Sequence, residues 1–75
     1  MKTEKAIKMV MKQIGRKDGN GKLFASVAFR QDYMELLGYE IMTALIEAPI
    51  EGQIGTLKFA KAGNDANKRI NIWKA

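Results

Sequence analysis

Seventy-five residues make one domain, and at this size stability often leans on a disulfide, a metal or a partner subunit. The chain has no cysteine and no histidine, which excludes a disulfide framework and removes the usual ligands for zinc or a transition metal. Its net charge of +5 is unevenly spread: residues 1–22 hold seven basic and two acidic side chains, residues 23–55 one and five, and residues 56–75 five and one.

That distribution favours an anionic partner, nucleic acid above all, if the segments fold onto different faces. No apolar run approaches the roughly 20 residues needed to span a bilayer, and no stretch has the layout of a signal peptide. The expectation is a folded, cytoplasmic protein with no membrane association.

Residues 4–14 carry two periodicities. Ile7, Val10, Met11 and Ile14 fit a helix with Thr3 as cap and Gly15 as stop. The same stretch alternates as a strand, and a glycine-rich loop after it suggests a long hairpin. The hairpin tips the reading to a strand, although the composition favours helix. On a helix, Lys5, Lys8 and Lys12 would share one face, with Lys2 just before it; no aromatic anchor accompanies them, which argues against a membrane surface.

The loop from Gly15 to Lys22 superficially suggests phosphate binding, but the P-loop pattern fails. Arg16 stands where its first glycine belongs and Leu23 where its Ser or Thr belongs. What remains is a turn-rich connection whose Arg16, Lys17 and Lys22 are candidate phosphate contacts.

Leu23 to Arg30 alternates as a strand, with Leu23, Ala25, Val27 and Phe29 on one side and Phe24, Ser26, Ala28 and Arg30 on the other. A helix is predicted from Asp32 to Glu47, with Asp32 as N-cap, Glu35 completing a capping box and Pro49 ending it. Met34, Leu37, Ile41, Ala44, Leu45 and Ala48 form its buried stripe. The apolar arc is wider than one sheet face covers, so Leu36, Tyr39, Met42 and Ile46 are candidate contacts for a protein partner or a second copy in a homodimer.

Thr56–Lys61 and Lys68–Lys74 read as a terminal hairpin closed by a turn over Gly63–Asn67. Leu57, Phe59, Ile70 and Ile72 would face inward, and Lys58, Arg69, Asn71 and Trp73 outward. The fold class is α+β: a small single-layer antiparallel sheet packed by one helix, β-β-α-β-β, with α-β-α-β-β as the alternative.

The residues argue against catalysis. No histidine serves acid–base work, no cysteine serves as nucleophile, and Ser26, the sole serine, has no base at a recognisable spacing. No cofactor or metal is expected. Compactness, charge and the lack of catalytic groups match the general style of small phage or mobile-element accessory proteins, without a motif to carry the likeness.

The leading expectation is a binding protein for nucleic acid, single-stranded in preference, using Arg16, Lys17, Lys22, Arg30, Lys58, Arg69 and Trp73. The competing expectation is a protein-binding module or inhibitor that docks through its apolar helix or a sheet edge. Both depend on the side to which the last strand turns its tryptophan.

Overall fold

Residues 4–14 resolve their ambiguity as a helix, α1 (Thr3–Ile14), in a computed structural model that describes residues 1–63 and 68–74. The reason lies in burial. A strand would separate Ile7, Met9 and Met11 from Val10 and Ile14, whereas the helix turns Ala6, Ile7, Val10 and Met11 into one buried stripe. The strand expectation is therefore corrected. Thr3 lies inside the helix and does not cap it; the N-cap is Lys2, with no side-chain bond. Gly15 ends the helix as expected, its N–H donating to Met11 O at 3.1 Å. A β-carbon at Gly15 would collide with that same carbonyl.

The chain then forms β1 (Arg16–Lys17) and β2 (Leu23–Ala28), joined by a hairpin loop that Asp18 holds. Its Oδ1 accepts from the N–H groups of Asn20 at 2.8 Å and Lys22 at 2.9 Å. After β2 come α2 (Gln31–Leu37) and α3 (Tyr39–Glu47), then β3 (Glu51–Ile54), β4 (Leu57–Ala62) and β5 (Arg69–Lys74). All pairings are antiparallel, and the sheet order is β1-β2-β5-β4-β3. The α+β class with a helix-packed antiparallel sheet is as expected, with α1 in place of the first strand and β1 and β3 added.

The single helix expected from Asp32 to Glu47 is two. Gly38 adopts φ 99° and ψ 155°, a region essentially reserved for glycine, and turns the chain between α2 and α3. The capping box is not formed either. Arg30 is the N-cap of α2, and Asp32 Oδ1 accepts from Tyr33 N at 3.0 Å instead. The buried stripe survives the break: Leu37, Ile41, Ala44, Leu45 and Ala48 are all buried. As expected, α3 stops just ahead of Pro49.

The core lies between the helices and one face of the sheet. Ala25 and Val27 of β2, Phe59 of β4, and Ile70 and Ile72 of β5 meet Ile7, Val10, Met42 and Leu45 in one cluster. Burying each large apolar side chain contributes roughly 1.5–3 kcal/mol. At the far edge, β3 is nearly devoid of apolar residues and is held by a neighbour: the Phe59 ring fills the space where a β-carbon on Gly52 would sit. A two-residue turn at Gly55–Thr56, with Gly55 at φ 60°, joins β3 to β4. The terminal hairpin of β4 and β5 pairs as predicted; the turn expected over Gly63–Asn67 lies largely outside the described residues.

Candidate nucleic-acid interface

The alternation of β5 decides which side chains reach water. Ile70 and Ile72 are fully buried, so Arg69, Asn71 and Trp73 take the opposite face, as the sequence pattern predicts. Trp73 remains 37% exposed.

Strand register assembles the rest of this face, which is turned away from the core. One row runs Arg16, Phe24, Trp73, Lys58, Gln53 across all five strands. The next runs Ser26, Asn71, Ala60, Glu51, and a third Ala28, Arg69, Ala62. Neighbouring strands lie about 5 Å apart, so Phe24 and Trp73 stand side by side. The second and third rows contain three alanines and a serine beside Asn71, Glu51 and Arg69; Trp73 is exposed and Phe24 half-buried.

Several contacts fix the polar groups. The Arg16 guanidinium carbon lies 5.6 Å from the centre of the Phe24 ring, a cation–π arrangement. Arg69 Nη1 donates to Ser26 Oγ at 2.8 Å, and Ser26 Oγ donates to Asn71 Oδ1 at 2.7 Å. Arg69 is thereby tied down across two strands.

Four of the seven predicted nucleic-acid contacts thus share one face: Arg16, Lys58, Arg69 and Trp73. Arg30 lies past the end of β2, in a cleft of about 510 Å³ shared with Arg16 and Ser26 of that face and with Asp32, Tyr33 and Leu36 of α2. It is committed locally, forming an ion pair with Asp32 at 3.1 Å and lying 5.6 Å from the centre of the Tyr33 ring. Lys17 pairs with Leu23, in a row that faces the helical side, and lines a separate hollow with Lys22 and Lys74. Lys17 and Lys22 therefore do not join the aromatic pair. Lys2, Lys5, Lys8 and Lys12 form a second basic surface along α1, where Lys8 pairs with Glu4 at 3.1 Å.

The helix-side contacts also divide. Leu36, Tyr39 and Ile46 are 59%, 71% and 48% exposed, whereas Met42 is completely buried. Met42 is corrected from a partner contact to a core residue, because α1 packs along α3 and occupies the flank that a second copy was expected to cover.

Sequence reasoning put Ser26 on the side of Phe24 but gave it no role, and gave Glu51 and Gln53 no strand. The signal for β3 was the Gly55–Thr56 turn ahead of an already recognised strand. Lys61 was also missed: its Nζ donates to Ile46 O at 2.7 Å and Ala48 O at 2.6 Å, closing the C-terminus of α3. Burial lowers its pKa below the ordinary 10.5.

Among the described residues no helix is long and apolar enough to cross a membrane. Fold and face together define an α+β domain with one side of its sheet left open. No protein family matches the chain, and neither does any curated protein or solved structure.

Proposed function

We propose that this protein binds single-stranded nucleic acid on the open face of its sheet, without a catalytic step, and acts in the cytoplasm. The observation that carries the reading is the pairing of Phe24 with Trp73 on adjacent strands, ringed by Arg16, Lys58 and Arg69. Bases of a single strand have free faces, and stacking one on an aromatic ring contributes about 1–3 kcal/mol. A duplex buries those faces in its own stack, which favours the single strand. The three cations lie within a strand or two of the rings, close enough to meet the flanking phosphates.

Gel retardation of labelled oligonucleotides tests this directly. Single strands are expected to shift at about 50 mM salt and to lose affinity steeply as salt rises. Trp73→Ala and Arg69→Ala should each weaken the shift. Absence of any retardation by single- or double-stranded probes at low salt removes the reading.

A second reading has one specific observation behind it. Leu36, Tyr39 and Ile46 are exposed on α2 and α3, whose charged residues are all acidic, and Ile50 after them is 65% exposed. A protein partner, or a second copy of the chain, would bury them. Binding of that kind should be sensitive to Tyr39→Ala and indifferent to Trp73→Ala; a monomer by light scattering at high concentration would reject the homodimer.

A further inference from the structure

Among the described residues Glu51 is the only carboxylate in the five strands, and register places it on the open face, in the row next to Trp73. A negative charge there opposes a phosphate backbone, so a face serving only non-specific binding gains nothing from it. Glu51 is not isolated. It lines a shallow, open hollow of about 340 Å³ with Gly52, Gln53, Lys58, Phe59 and Trp73, the tryptophan standing two strands away on β5. The hollow combines an aromatic ring, a two-oxygen acceptor, the Lys58 ammonium and the Gln53 amide, whose nitrogen already donates to Gly55 O at 2.9 Å and keeps one N–H for a ligand.

The geometry points to this hollow as a guanine-selective subsite of the single-strand interface, an assignment that rests on the function proposed above. Guanine alone among the four bases presents two adjacent donors, N1–H and the N2 amino group, on its Watson–Crick edge. An ionised carboxylate accepts both at once, and such charge-assisted pairs are the stronger hydrogen bonds. The O6 acceptor beside them then meets the Lys58 ammonium or the Gln53 amide. Adenine presents the reverse pattern and leaves the carboxylate unpaired; cytosine and thymine offer it a single donor group. The indole supplies stacking that all bases share, and Glu51 supplies the choice among them.

The alternative role for Glu51 is to keep other strands away from the edge strand β3. The sole tryptophan makes the two roles separable, because its emission reports on the hollow itself. Short oligothymidines carrying one central guanine, adenine, cytosine or inosine are titrated against the protein. Guanine is expected to bind about tenfold tighter than adenine or cytosine, the scale of one bidentate base contact. Inosine, which lacks the N2 amino group, should fall between. Glu51→Gln should bring the guanine preference close to unity while leaving affinity for plain oligothymidine unchanged or raised. Its circular dichroism should match the parent, since Glu51 is exposed.

Equal binding of all four oligonucleotides, or a guanine preference that survives in Glu51→Gln, overturns the assignment and leaves the single-strand interface standing. If no oligonucleotide alters the emission and none is retarded in a gel, the interface and its subsite fall together.

Discussion

The two faces of β5 carry the same strand to opposite ends. On one side Ile70 and Ile72 are sealed under the helices; on the other Arg69, Asn71 and Trp73 face water. Each isoleucine removes apolar area from water and stabilises the fold, whereas the tryptophan leaves a large apolar surface uncovered. An exposed tryptophan beside a half-buried phenylalanine, ringed by cations, gives the fold little, which is why its position asks for a ligand. Stability and recognition are thus separated by a single-residue step along the chain, and substitutions on the two sides should separate as well.

The largest effect is expected on the inner side. Ile72→Ala removes packing at the centre of the core and should cost about 2–5 kcal/mol, enough to unfold a large fraction of a marginal domain. Thermal or urea denaturation followed by circular dichroism measures it. A loss below about 0.5 kcal/mol, the scale of an ordinary surface change, would contradict the core assignment.

Next comes the layer that covers that side. Gly38→Ala meets no steric obstruction, since nothing lies within 4 Å of the added carbon. The cost arises from the backbone at φ 99° alone, and about 1–3 kcal/mol of stability should be lost. A neutral substitution would mean that the turn between α2 and α3 does not need this conformation.

On the outer side the roles reverse. Trp73→Ala should change stability by under about 1 kcal/mol while lowering single-strand affinity by about 1–3 kcal/mol. An unfolded Trp73→Ala variant would break the comparison between the faces outright.

The smallest effect concerns Lys61, where burial holds the folded pKa below the unfolded value of 10.5. The unfolded chain then binds more protons between those two values, so stability rises with pH across that window and levels off above 10.5. Denaturation midpoints from neutral to alkaline pH should show this small rise in the parent and lose it in Lys61→Met. The same variant loses both bonds to the end of α3.

Legibility in the sequence followed the strength of local alternation. The Arg-Ile-Asn-Ile-Trp-Lys run of β5 alternates clearly, but the sequence left open whether the isoleucines or the tryptophan turn inward; full burial of Ile70 and Ile72 decides it. Residues 4–14 satisfied two periods at once, and only the simultaneous burial of Ile7, Val10 and Met11 distinguishes them. Gly38 was hidden because the apolar stripe continues on both sides of the break. The Glu-Gly-Gln-Ile run of β3 has one apolar residue; its packing comes from Phe59, a residue on another strand that no local pattern reveals. Cations gave the least local signal. Arg16 joins the open face while its neighbour Lys17 turns away, because a short strand forms where the sequence showed a loop.

The same cations pose the sharpest rival to the open face, for the lysines of α1 offer a second basic surface. Backbone and indole amide chemical shifts during titration with an oligothymidine tell the two apart. Saturable shifts at Phe24, Ser26, Asn71 and the Trp73 indole, with α1 silent, are the result this account predicts. Shifts gathered on Lys5, Lys8 and Lys12, with that indole unmoved, would contradict it.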